Sequence, residues 1–159
     1  MKKNVTSLTH AAVIAALYVV LTFLSNAFGL ASGAIQVRFS EALCILPFFT
    51  PVAIPGLFIG CIISNLLTGA VIWDVIFGSL ATLIGAYVTY LLRKWKWCAP
   101  LGAILANGLM IPFVLYFAYG LGPIWLFFIT VTAGEVISCG VFGMMLLFAL
   151  EKYRHQLFS

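Results

Sequence analysis

The sequence predicts an all-α integral membrane protein of about six transmembrane helices with both termini cytoplasmic, forming a single transmembrane domain over residues 1–159. Three observations carry this expectation. Hydrophobic residues make up 64% of the chain and charged residues 8%, against roughly 45–50% and 25% in a soluble domain. Apolar runs recur at about the 20-residue length that a bilayer demands. The basic residues gather between these runs, as topology signals do, so the net charge of +4 is read as membrane orientation and not as a nucleic-acid footprint.

The first run, Leu8 to Leu30, follows Lys2 and Lys3. It is much longer than a signal-peptide core of about 7–15 residues, and Leu30-Ala31-Ser32-Gly33 is a poor cleavage site, so a retained first helix is expected. The second run, Ala42 to Gly69, contains Pro47, Pro51 and Pro55. It is either one kinked helix or two short ones turning at Thr50–Pro55, because proline removes a backbone donor and disfavours helix in the residue before it.

Charge decides between these. Two runs, Leu101 to Tyr119 and Ile124 to Leu150, separate Arg93, Lys94 and Lys96 from Lys152 and Arg154, so these clusters share a side. Lys3 joins them only if four spans precede Arg93, counting the run Val75 to Leu92. The proline-rich run must therefore be split. Each half is then short for a hydrocarbon core of about 30 Å. The second helix must start near Gln36 or Ser40, or its neighbours must shelter the pair. Gly120-Leu121-Gly122-Pro123 turns between helices five and six, and Trp95 and Trp97 anchor an interface. A site such as Ala34 is expected outside and Lys96 inside.

Enzyme signatures are absent. The two histidines, His10 and His155, lie near the termini, and there is no GxxxxGK[ST] phosphate loop, so energy must come from an ion gradient or a partner. Cys44, Cys61, Cys98 and Cys139 have no metal-ligand spacing and read as buried small hydrophobes; no metal or cofactor is expected.

Gln36, Arg38, Glu41, Asn65, Asp74, Asn107 and Glu135 remain as a polar set among apolar residues. Such groups are expensive in a membrane and usually line its interior pathways. Gln36, Arg38 and Glu41 fall in the first external loop and the start of helix two. Asn65 falls near the outer end of helix three, and Asp74 opens helix four. Asn107 and Glu135 lie 14 residues either side of Leu121, so an antiparallel hairpin sets them at matched depth, roughly 20 Å below the turn. Together they form the floor of an outward-facing pocket, with Tyr116, Tyr119, Trp125 and Phe77 as candidate aromatic walls.

Plainer readings stand beside these. Arg38 and Glu41, three apart, also read as a surface ion pair. Asp74 also reads as a helix-start carboxylate, and Asn65 and Asn107 as interhelical hydrogen-bond glue. Ala11, Ala12, Ala15 and Ala16 give small-xxx-small spacing, a flat face for a partner helix or for internal packing.

Three segments carry a family resemblance: Gly33 to Glu41 (GAIQVRFSE), Pro47 to Leu57 (PFFTPVAIPGL) and Trp73 to Gly78 (WDVIFG). With them the chain resembles the QueT family over essentially its whole length. The resemblance implies a queuosine-precursor transporter in the cell membrane, the substrate-binding S component of an energy-coupling factor importer. It implies a six-helix S-component-like bundle with an outer pocket capped by the first loop. The implied partners are membrane lipid, a transmembrane coupling protein docked through first-helix alanines, and an ATPase pair. The implied substrate is a 7-deazaguanine such as preQ0, preQ1 or queuine. A stand-alone carrier or channel for a small polar solute, using Glu135 or Asp74 as a proton site, is the alternative, as is an S component for another vitamin-like substrate.

Overall fold

The computed structural model describes residues 2–30, 35–120 and 122–157; Gly33 and Ala34 of the first loop, and Leu121 of the hairpin turn, lie outside them. Among the described residues the chain is helical, with no strand. Helix α1 (Lys2–Ala27) is followed by a 3₁₀ helix (Phe39–Phe48), then α2 (Ala53–Leu67), α3 (Ile72–Leu91) and α4 (Leu101–Phe117). The sixth helix is one rod made of α5 (Ile124–Glu135), a π-helical stretch (Val136–Gly143) and α6 (Met144–Glu151). A 3₁₀ turn (Lys96–Cys98) precedes α4, and a short α7 (Arg154–Leu157) follows α6. Val5–Ala27, Ile72–Leu91, Lys96–Phe117 and Ile124–Glu151 are long and apolar enough to cross a bilayer. The protein is a multi-pass membrane protein.

The proline-rich run is split, as the charge count requires. Its first half runs from Phe39 as a 3₁₀ helix, which rises about 2.0 Å per residue against 1.5 Å for an α-helix. Ten residues therefore reach about 20 Å, still less than a hydrocarbon core. Burial relieves the shortfall. Every residue from Ser40 to Phe48 is buried, with Cys44 and Ile45 fully so, and none needs to meet lipid. Pro55 falls in the first turn of α2, where backbone N–H groups have no helical partner and none is lost.

The two ends of the bundle differ in charge. Lys96 pairs with Glu151 at 3.0 Å, which brings the Arg93–Lys96 loop beside the Lys152 end. Helix α1 starts at that same end, because Ala11 lies against Gly56 in the first turn of α2. At the opposite end α1, α2 and α4 stop just before Gly29, Gly69 and Gly120, each in the left-handed region at φ 63–73° that glycine alone adopts without strain. By the positive-inside rule the basic end is expected on the cytoplasmic side. In a chain freed of its native cysteines, a membrane-impermeant thiol reagent is expected to label Ile35→Cys, exposed beside Ala34, and not Lys96→Cys. Labelling of Lys96→Cys from outside would overturn this orientation.

The alanines of α1 divide between two faces. A Cβ on Gly56 would stand 2.8 Å from the Ala11 carbonyl, and one on Gly60 3.0 Å from the Ala15 Cα. Ala11 and Ala15 are thus consumed by close packing on α2, which only these small residues permit. Ala12 and Ala16 are exposed on the other side.

Candidate functional site

Two adjacent polar chambers lie towards the non-basic end of the bundle. The outer one, about 270 Å³, is lined by Thr22, Asn26, Asn65, Thr68, Asp74 and Tyr119, among others. The inner one, about 30 Å³, is lined by Glu41, Cys61, Thr82, Asn107, Val131 and Glu135. Gln36, Arg38 and Ile111 belong to both walls. The inner space has room for about one water molecule.

Glu41 is 3% exposed and is therefore not half of a surface pair with Arg38. Its Oε1 accepts a hydrogen bond from the Tyr18 hydroxyl. Its Oε2 accepts from the Cys44 thiol at 3.1 Å and from Asn107 Nδ2 at 3.4 Å. Asn107 and Glu135 line this same chamber, so the residues matched in depth by sequence spacing do face one space. Glu135 Oε2 is buried with no hydrogen-bond partner, and an unpaired polar atom is costly where no bulk water reaches it.

In the outer chamber Asp74 sits in the first turn of α3, where the Tyr119 hydroxyl donates to its Oδ2 at 3.4 Å. Burial and then the Asp74 carboxylate raise the Tyr119 pKa, keeping the phenol a donor. Asn65 Nδ2 donates to the Asp74 carbonyl at 3.3 Å. Burial alone would lower the basicity of Arg38, but Asp74, with Tyr18 and Glu41 behind it, more than reverses this, and Arg38 stays a cation between the chambers.

The segment that carries Gln36 and Arg38 is clamped to the sixth helix. The Arg38 amide donates to Ser138 Oγ at 3.1 Å, and the Gln36 carbonyl lies so close to Gly134 that a Cβ there would sit 2.1 Å from it. Ser138 lies in the π-helical stretch that starts straight after Glu135. Such wider turns recur at functional sites.

The structure thus gathers Gln36, Arg38, Glu41, Asn107 and Glu135 in one chamber, and Asn65 and Asp74 in the other. Phe77 and Tyr116 lie elsewhere. Phe77 lines an apolar groove of about 560 Å³ with Trp73, Phe113 and Phe117. Tyr116 is exposed and packs edge-on against Phe117. Trp125 is also exposed, and of the four expected aromatic walls only Tyr119 reaches a polar chamber. Tyr18, Thr22 and Thr82 join the site although they are not among the residues expected there. Tyr18 and Thr22 did carry a signal, polar groups four apart on one face of an apolar helix.

A family model described as QueT transporter matches residues 8–152. The queuosine precursor transporter QueT of Lactococcus lactis subsp. cremoris (strain MG1363) is 42% identical over 85 residues, 53% of this chain and 50% of that protein. The match spans about half the length of that curated relative. No solved structure gives a significant match.

Proposed function

This chain belongs to the QueT transporter family, and we propose that it is the substrate-binding membrane subunit of an importer for a queuosine precursor, a 7-deazaguanine. The observation that carries this reading is the partnerless Glu135 Oε2 beside Asn107 in a buried chamber. A guanine-like base presents N1–H and 2-amino donors side by side, and an ionised carboxylate accepts both. Asn107 is placed to read the adjacent ring carbonyl. Glu41 and Asp74 would balance an aminomethyl cation on the ligand.

The inner chamber is too small for a fused bicyclic ring. The ring therefore occupies the outer chamber, and its donor edge reaches Glu135 once the Gln36 and Arg38 side chains swing aside while their backbone stays clamped to the sixth helix. The chain has no phosphate-binding loop, so the work of transport falls to partners: a transmembrane coupling protein of the energy-coupling factor type and its ATPase pair. The exposed Ala12 and Ala16 offer a flat surface on α1 for that coupling protein. Ala11 and Ala15 do not, because α2 already covers them.

The direct test is to purify the protein and identify the bound small molecule by mass spectrometry, then to measure uptake with and without ATPases. A bound 7-deazaguanine, copurifying ATPases and ATP-dependent uptake are expected. Gradient-driven uptake by this chain alone would instead favour a secondary carrier with a proton on Glu135 or Asp74. Ala12→Trp or Ala16→Trp should cut uptake severalfold in cells while ligand binding by purified protein stays near wild type. Normal uptake in both variants would remove this face as the docking surface.

A further inference from the structure

We propose that Tyr18 is a positioning residue for substrate binding, the lowest rung of a polar ladder by which α1 sets the place of Glu41. The ladder has three rungs in register. The Tyr18 hydroxyl donates to Glu41 Oε1, Thr22 Oγ1 is hydrogen-bonded to Ser40 Oγ at 2.9 Å, and the Phe39 amide donates to Ser25 Oγ at 2.8 Å. Residues 18, 22 and 25 follow the four- and three-residue steps that align side chains on one helical face. They grip the consecutive residues Glu41, Ser40 and Phe39, the opening turn of the 3₁₀ helix.

Tyr18, Thr22, Ser25, Ser40 and Glu41 are all at least nine-tenths buried, so water does not compete for these bonds. Tyr18 also packs closely on α2, where a Cβ on Gly60 would stand 2.8 Å from its own. This buried phenol occupies one oxygen of Glu41. The other oxygen faces Cys44 and Asn107, on the wall of the inner chamber. Without the phenol, Glu41 is free to turn, and Asn107 loses its fixed neighbour. The ladder thus carries α1 geometry into the chamber, and its effect on binding rests on the reading that this chamber takes the ligand.

The first test needs no ligand. The infrared carboxyl band that Glu41→Gln removes is expected to shift in Tyr18→Phe, which keeps the ring and its packing. Thr22→Val, which removes the middle rung and leaves the phenol in place, is expected to move the same band less. If the band stands still in both variants, the ladder does not position Glu41. The second test titrates 7-aminomethyl-7-deazaguanine into wild type, Tyr18→Phe, Glu41→Gln and the double variant. Tyr18→Phe is expected to weaken binding about three- to tenfold with the thermal midpoint little changed, and to have no further effect in the Glu41→Gln background. Simply additive losses overturn the positioning role. If Glu41→Gln and Glu135→Gln both bind normally, the chamber reading itself fails, and the infrared result alone judges the ladder.

Discussion

Glu135→Gln is expected to weaken binding of a 7-deazaguanine at least about tenfold, a loss of about 1.4 kcal/mol, while the protein still folds. The amide keeps the shape of the carboxyl group but offers one acceptor and two donors where the base needs two acceptors. Hydrogen bonds to a charged group contribute roughly 1.5–3 kcal/mol, and ligand donors left unpaired in a dry chamber add to the loss. The partnerless Glu135 Oε2 makes the site specific about this edge, since a ligand donor there gains a bond that the protein lacks. An analogue without the 2-amino group should bind wild type more weakly and discriminate less against the variant. Isothermal titration of both proteins with both ligands decides the matter. If the two losses add, Glu135 does not touch that edge, and Asp74 or Glu41 takes its place as the candidate reader.

Gly134→Ala is expected to weaken binding by about tenfold or more with only a modest change in thermal midpoint. The new methyl group would stand 2.1 Å from the Gln36 carbonyl oxygen, a separation that no contact tolerates. The Gln36–Arg38 segment must lift, losing the hydrogen bond from the Arg38 amide to Ser138. Forcing an added carbon into a filled space costs typically 1–3 kcal/mol, and here the cost falls on the backbone clamp that holds Gln36 and Arg38 in the chamber walls. Gly140→Ala on the same helix is the control, since its nearest atoms would be at 3.7 Å, ordinary contact. Equal behaviour of the two variants would show that the clamp at Gly134 does not shape the ligand site.

The span count and the shared end of the basic clusters were legible in the sequence, because a bilayer acts on the chain one segment at a time. Hydrocarbon thickness sets the run length, lysine and arginine mark the loops, and the prolines at 47, 51 and 55 mark where a run can break. Asn107 and Glu135 were legible for the same reason, since equal distance from a hairpin turn sets equal depth whatever the packing. The likeness of the first loop and of the Trp73-Asp74 segment to the QueT family is likewise legible in the sequence, and the family match over residues 8–152 agrees with it.

Run length and charge thus set depth along the membrane normal, whereas rotation about each helix axis comes from tertiary packing. Rotation assigns Ala11 and Ala15 to α2 and leaves Ala12 and Ala16 outside, though all four fall within six consecutive residues. It also turns Phe77 and Tyr116 away from the polar chambers that their depth allowed. Glu41 is the sharpest case. Beside Arg38 in sequence it reads as a surface charge, yet the 3₁₀ path buries it against Tyr18 and Asn107. A 3₁₀ turn takes about 3.0 residues against 3.6 in an α-helix, so each successive side chain is rotated further. The choice between the two windings rests on what neighbouring helices can shelter, and no local feature of Phe39–Phe48 records it.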